Sequence, residues 1–446
     1  MTLYVVFQVK RKVQIRREIK RAKRRSLFED KPTVKRLQPV NQHSKMKNKK
    51  TQFPERNKKN AYSEQEKRLS IMLMFSSKKS YRLLRGAGIV SRLPHESTVR
   101  KWVQHFECRP GHNSHLMKLL SYKNLTFTEK KDNYCVLMFD GMHLKNETKY
   151  SQSLGELIEG ANEVEVVLLR GLFKNWKHIC QFDFDKKMDI EDLKKIIINI
   201  QETGLIVKAL IMDLGNHHIQ GQLNIAKMEY KFPNPSIPGE EVLIIPDPIH
   251  CLKNLRTALI DHGAVFDWRG KKTGLGREDF KAVIQEHSKP GKLDILYKVT
   301  IKTHIELSKQ EKQRVDKAFQ LLSRRMSNAF RLTGRVDQGD IIGVINDFFD
   351  VLNSRSPFHY NPLKSAFGKN LELQMKAIED MRELMMGMKI NPSGKRARHA
   401  QMPFQKGILT GINSILHLNE ELKLDQDNYL LLSKVRFYFH TIHYLN

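Results

Sequence analysis

A mixed-sheet α/β fold is predicted for the middle of this chain, on three observations. Between residues 133 and 263, short β-branched or apolar runs alternate with stretches of helical spacing. Two of the short runs end on an aspartate followed by a turn: Val136-Leu137-Met138-Phe139-Asp140-Gly141 and Leu210-Ile211-Met212-Asp213-Leu214-Gly215-Asn216. Beyond about residue 266 the strand signals vanish and amphipathic helices take over. With 446 residues, 40% of them hydrophobic, the chain can bury a substantial core. A length of this order divides into roughly two to four domains.

The first 60 residues carry 20 Lys and Arg against 4 acids, about half of the formal +30 of the whole chain. Such a block cannot bury enough apolar surface to fold alone, so residues 1–60 are expected to form a basic disordered arm. Its runs Lys10-Arg11-Lys12, Arg16-Arg17 and Lys20-Arg21-Ala22-Lys23-Arg24-Arg25 read as a nuclear import signal, a phosphate-binding arm, or a solvated tail with no specific reader. Residues 61–115 turn helical, with Leu69, Leu73, Tyr81 and Leu84 on one pattern and a further helix opening after Leu93-Pro94. Ser97-Thr98-Val99-Arg100-Lys101-Trp102 resembles the start of a helix-turn-helix reading helix, with a capping hydroxyl before basic side chains. Arg100 and Lys101 are its candidate DNA contacts, while Trp102 reads as a core residue.

In the central region, residues 130–265, strands are expected at 133–139, 164–171, 178–184, 207–212 and 242–245, and helices at 190–202, 217–229 and 250–262. Three early strands followed by βα units suit a mixed sheet with helices on its faces, the arrangement of ribonuclease H-like nucleases and integrases. Residues 266–400 read as an all-helical insertion, with helices near 311–330, 339–352 and 371–388. A basic loop follows at Ser393-Gly394-Lys395-Arg396-Ala397-Arg398-His399, and residues 401–446 open a last helix from Phe404.

Composition narrows the partners. A charge of +30 favours a polyanion through counterion release, without distinguishing DNA from RNA. The four cysteines, Cys108, Cys135, Cys180 and Cys251, form no CxxC pair, so neither a disulfide framework nor a Cys-rich zinc site is indicated. No apolar run is long enough to span a bilayer, and the reading is an intracellular, soluble protein without a membrane partner. Carboxylates at the ends of buried strands can hold a divalent metal over a nucleic-acid phosphate, which makes Asp140 and Asp213 the candidate catalytic and metal-binding residues. His217-His218 is no chelating pair, because adjacent residues on a helix diverge by about 100°.

Four ordered motifs carry a resemblance to P-element-type transposases, the family that includes the THAP-domain transposases of animals. They are the helical segment around Leu93–Trp102, Arg170-Gly171-Leu172-Phe173-Lys174-Asn175-Trp176-Lys177, Pro246-Asp247-Pro248-Ile249-His250-Cys251-Leu252-Lys253-Asn254-Leu255-Arg256, and Met402-Pro403-Phe404-Gln405-Lys406-Gly407. The resemblance implies a ribonuclease H-like core that cuts and rejoins DNA by two-metal chemistry with Mg²⁺ or Mn²⁺, interrupted by a helical insertion that binds GTP. Asp140 and Asp213 match the family's first two catalytic acids. Asp350 and Asn353, in Asp350-Val351-Leu352-Asn353, resemble its guanine-contacting segment, and Lys317 is a weaker candidate for the phosphates. A helix-end cap is the alternative reading of the Asp350/Asn353 pair. His250, Lys253 and Arg256 share one face of a helix and could present cations to a DNA backbone; the alternative is a hydrogen-bonded histidine beside two solvated cations.

The family's N-terminal zinc module has no counterpart here, and no acid follows Asp427, where the family continues into a helix bearing a third metal-binding glutamate. The expectation is therefore a transposase-derived, DNA-binding nuclear protein with an incomplete and weak cutting centre. Glu420 and Glu421 are conceivable substitutes for the glutamate. An active transposase completed from elsewhere, or a non-catalytic DNA-binding regulator, are the alternatives, and homo-oligomerisation is left open.

Overall fold

The computed structural model describes residues 62–435 apart from 89, 91–92, 105–109, 113, 125–126, 152–155, 216, 225–226, 290–294 and 391–400. The expected basic arm, the basic loop at 393–399 and residues 436–446 lie outside the described residues. The chain falls into two units, which meet in sequence at Arg109 and Pro110.

Three helices make up the described part of the first unit: α1 (Glu64–Ser76), α2 (Lys78–Gly86) and α3 (Glu96–Gln104). Ser63 and Glu66 cap α1 reciprocally, the Ser63 amide donating to Glu66 Oε2 at 2.8 Å and the Glu66 amide to Ser63 Oγ at 3.2 Å. Met74, Tyr81 and Val99 form the small core, and the Tyr81 hydroxyl donates to the Pro94 carbonyl at 2.6 Å, pinning the entry to α3. Trp102 packs against this cluster and meets Tyr62 edge-on, as its core reading anticipates. Arg100 and Lys101 are exposed on α3.

The second unit opens with α4 (Ser114–Asn124) and is built on a six-stranded sheet. In chain order come β1 (Tyr134–His143), a hairpin of β2 (Lys149–Ser151) and β3 (Glu156–Ile158) with no counterpart in the expected strands, β4 (Glu163–Gly171), β5 (Lys177–Phe184), α5 (Ile190–Gln201), β6 (Ile206–Met212), α6 (His217–Gln222), β7 (Lys231–Pro233), β8 (Glu241–Pro246) and α7 (Pro248–Asp261). The sheet order is β5-β4-β1-β6-β8-β7. β1, β6 and β8 run parallel, and the remaining pairs are antiparallel. Layers on both faces bury β6 almost throughout, which explains its unbroken apolar run. The exception, buried Lys208, donates to Glu240 Oε2 at 2.7 Å and Glu421 Oε1 at 2.5 Å, since a buried charge must be paired. α6 stops well short of the expected 217–229, and Asn224 takes the left-handed φ of 52° that commonly ends a helix.

The insertion is not purely helical. β9 (Ala264–Trp268) and β10 (Lys271–Leu275) form a hairpin turned by Arg269 and Gly270, both at positive φ, and β11 (Met388–Ile390) pairs with β9 on the way out. β10 is polar and mostly exposed, and its pairing with β9, whose Ala264 and Phe266 are buried, defines it as a strand. Gly387 is required there: a Cβ would lie 2.0 Å from the Asp267 carbonyl oxygen. Between β10 and β11 run α8 (Arg277–His287), α9 (Ile301–His304), α10 (Val315–Leu321), α11 (Arg324–Leu332), α12 (Val336–Leu352) and α13 (Leu371–Gly387). The single helix expected at 311–330 is broken at Ser323, which is extended and caps α11 by accepting from the Met326 amide.

α14 (Pro403–Leu422) returns the chain to β8 and α7. Buried Gln405 donates to the carbonyls of Met385 and Met388 at 3.3 and 2.9 Å, tying the start of α14 to the exit of the insertion. Farther on, the Leu432 amide donates to Ser354 Oγ, and the buried Lys434 ammonium to the carbonyls of Leu172 and Phe173 at 2.8 Å each. The Arg170 guanidinium meets the Ser433 carbonyl at 3.0 Å. Burial, with Arg170 nearby, holds the Lys434 amine down at about 8.

Two glycines of α14 separate packing from propensity. A Cβ on Gly407 would meet Cys251 Sγ at 3.1 Å and Leu214 at 3.2 Å, whereas one on Gly411 meets nothing within 4 Å. Gly407→Val is expected to cost about 1–3 kcal/mol through overpacking. Gly411→Ala should be neutral or stabilising by up to about 1 kcal/mol. Urea unfolding of the two variants beside the parent reads both effects.

Candidate active site at three strand ends

The parallel register pairs Phe139 with Met212 and Met212 with Pro246. The next residue on each strand is an aspartate: Asp140, Asp213 and Asp247. The ladder thus sets three carboxyl-bearing residues side by side across three interior strands of the sheet. The Asp247 amide extends it by donating to the Met212 carbonyl at 2.8 Å. Asp213 sits in a tight turn, its Oδ1 accepting from the Gly215 amide at 3.1 Å. Asp247 caps α7, accepting from the Ile249 amide at 3.4 Å, with Pro248 at the first helical position where its missing N–H is harmless.

α7 supplies the counter-charges. His250 Nδ1 lies 3.0 Å from Asp247 Oδ2 and 3.3 Å from Asp213 Oδ1. Lys253, only 8% exposed, is close enough for all three aspartates to raise its pKa, although burial leaves that pKa below the ordinary lysine value. Burial pushes the Asp140 carboxyl up from 3.8 to about 7; His250 opposes the rise, and Asp213 and Asp247 add to it. For His250, burial favours the neutral ring, but the contact with Asp247 outweighs it and the pKa is raised.

Asp140 Oδ2 is buried with no hydrogen-bond donor in the protein. A buried carboxylate oxygen left in this way matches a hard cation, so the residues fit Mg²⁺ or Mn²⁺. Asp140 and Asp213 are the residues that would hold it. Among the described residues no three His, Cys, Asp or Glu side chains are arranged to hold a metal ion. Glu421 does not serve as a third: it is bound to Lys208, five residues and about 16 Å of strand before Asp213. Glu420 is exposed on α14.

The helical face expected to offer His250, Lys253 and Arg256 to DNA is not a solvent face. His250 and Lys253 turn to the carboxylates, and Arg256, 1% exposed, donates to the Lys312 carbonyl at 2.6 Å inside the protein. The three-residue spacing is correct; α7 simply packs that side inward against the segment before α10.

In the insertion, a cavity of about 570 Å³ is lined by Tyr297, Lys298, Arg324, Arg325, Asp350 and Lys364, among others. Asp350 accepts from Asn346 and Asn361 at 3.1 Å each and pairs with Lys364 at 3.3 Å. Lys317 and Asn353 do not line it. Asn353 is the C-cap of α12 and accepts from Arg355 Nε at 3.1 Å, so the helix-end reading describes its position.

Asp247 was not singled out from sequence, nor were the cavity's cations. The signal for Asp247 was present: Val242-Leu243-Ile244-Ile245-Pro246-Asp247 is a third apolar run ending on an aspartate. The cavity cations carry no such mark, being scattered over segments that only the fold assembles.

A mixed sheet of this order, with acids on adjacent strand ends and helices on its faces, defines a ribonuclease H-like domain. Residues 108–221 match the family described as "TNP-like, RNase H N-terminal domain", and residues 33–102 match "Transposable element P transposase-like, HTH domain". The chain is 27% identical over 358 residues to the transposable element P transposase of Drosophila melanogaster, covering 77% of this chain and 45% of the relative. It is 22% identical over 335 residues to human DNA transposase THAP9, covering 66% of this chain and 35% of the relative. Its fold is similar to that in the Drosophila P element transposase strand transfer complex, with a TM-score of 0.70, 24% identity and 85% of each chain covered. The chain is thus similar to P-element transposases, with a match to their helix-turn-helix domain and a match to a ribonuclease H-like domain. It spans less than half the length of either curated relative.

The raised pKa of Asp140 has a signed consequence. Between 3.8 and about 7 the folded chain holds a proton that the unfolded chain has released, so this group's contribution to stability is full below 3.8 and is lost as pH rises to about 7. Metal-free protein should therefore show a fall in Tm over that window that is smaller in Asp140→Asn. Parallel curves for the two proteins would remove Asp140 from the pH dependence.

Proposed function

We propose that this chain binds DNA and contributes a metal-dependent centre for DNA cleavage and strand transfer. The observation that carries the reading is the alignment of Asp140, Asp213 and Asp247 at level positions of three neighbouring strands. When bound there, Mg²⁺ or Mn²⁺ would supply Lewis-acid stabilisation of a phosphodiester under attack. Asp140 and Asp213 would hold the ion. Lys253 moderates the negative field of the cluster, and the buried walls of β1 and β6 limit water around Asp140.

Asp247 is engaged with His250, which leaves two carboxylates for the metal among the described residues. The centre is accordingly proposed to be weak until a further acid joins it from another segment or a second copy of the chain. The same observation favours a second reading, a DNA-binding regulator that does not cut. Arg100, Lys101 and the basic run of residues 1–60 are the proposed phosphate contacts, and that run also supports import into the nucleus. His250, Lys253 and Arg256 are not among them.

Purified protein is expected to bind DNA with an affinity that falls steeply with salt, and deletion of residues 1–60 should flatten that slope. Cleavage of transposon-end DNA in Mg²⁺ or Mn²⁺ should be slow, rise when an acid-bearing C-terminal helix from a longer relative is appended, and disappear in Asp140→Ala or Asp213→Ala. Fast cutting by the unextended chain would overturn the weak-centre reading. A salt-independent affinity would overturn the electrostatic one.

GTP is the proposed ligand of the insertion cavity, whose volume suits a nucleotide and whose Lys298, Arg324 and Arg325 suit phosphates. On this reading Asp350 accepts from guanine N1 and N2 once it gives up an amide partner. GTP should then raise Tm more than ATP, with the difference lost in Asp350→Asn; equal shifts in the parent protein would sink guanine selection.

A further inference from the structure

Asp247 does more than cap a helix. Capping uses one carboxylate oxygen, and Ser, Thr or Asn would serve as well. Here Oδ1 caps α7 while Oδ2 faces His250 Nδ1 at 3.0 Å, and the residue is 1% exposed. The His250 ring in turn stands 3.3 Å from Asp213 Oδ1, the same oxygen that accepts from the Gly215 amide. Asp213 is the outer member of the cluster, its side chain 36% exposed, at the start of a turn. Both contacts bear on Oδ1, the Gly215 amide through a hydrogen bond and the ring through its charge, so they restrain that side of the carboxylate.

Resting on the metal-binding reading above, we propose that Asp247 and His250 form a positioning pair that holds the Asp213 carboxylate in the orientation that receives the metal. Asp247 orients the ring, the ring orients Asp213, and the backbone ladder at Met212 and Pro246 keeps the two strand ends in register. Partners of this outer kind govern the affinity of a metal site without touching the ion.

The test uses Asp247→Asn, which keeps the cap and the volume, and His250→Gln, each in the full chain. Mn²⁺ binding is followed by electron paramagnetic resonance, and metal-free crystal structures report the Asp213 side chain. Both variants should weaken Mn²⁺ about 10–100-fold. Their double variant should be little worse than His250→Gln alone, because the two residues act as one unit. The parent should show a single Asp213 orientation that the His250→Gln crystals lose.

Parent-like Mn²⁺ affinity together with an unchanged Asp213 in both variants would overturn the pair and leave the metal reading standing. A parent protein that takes no Mn²⁺, or whose Mn²⁺ binding survives Asp213→Ala, would overturn the metal reading instead. The Asp213 orientation then decides the pair by itself: an unchanged side chain in His250→Gln overturns it, and a lost orientation sustains it.

Discussion

Three aspartates forced into alignment by a parallel ladder are the constraint around which the rest of this structure is arranged. β1, β6 and β8 share one direction and register, so Asp140 within β1 lies level with Asp213 and Asp247, which follow the ends of β6 and β8. Like charges on adjacent strand ends repel, and the protein answers in two ways. Burial keeps Asp140 protonated up to about neutral pH, and α7 turns His250 and Lys253 inward over the other two. A divalent cation would relieve such repulsion, in keeping with the metal reading proposed above.

The signature motifs are largely architectural on this view. In Arg170–Lys177, Gly171 admits the Trp176 indole, to which a Cβ would approach within 2.4 Å, and the turn that follows supplies carbonyls to Lys434. In Met402–Gly407, Gln405 closes the exit of the insertion, and Gly407 lets α14 press on Leu214 and Cys251, the neighbours of Asp213 and His250. Residues outside the acidic edge therefore govern its shape by packing.

How much of this was legible in the sequence follows from what each feature depends on. Apolar runs such as Leu210–Met212 announce a doubly covered strand by themselves, and the aspartates after them needed only the period of the run to be noticed. The β9–β10 hairpin was not legible, because Lys271-Lys272-Thr273-Gly274 has no apolar signature and becomes strand through its partner. The break at Ser323 was a choice between capping and continuing a helix, settled by packing of α11 against α12. Burial of Arg256 was illegible for a different reason: spacing states which residues share a face and says nothing of what covers that face. The insertion cavity likewise draws on segments more than sixty residues apart, from Tyr297 to Lys364.

The strap at Leu430–Lys434 bears on how this architecture can be inherited. Its Leu432 and Ser433 amides end on Ser354 of the insertion, while Lys434 ends on the β4–β5 turn of the sheet. Removing or exchanging the helical insertion as a cassette would strand the two amide donors that end on Ser354, at the strap whose next residue, Lys434, is anchored on the sheet. The helical and sheet portions are thus not freely separable modules.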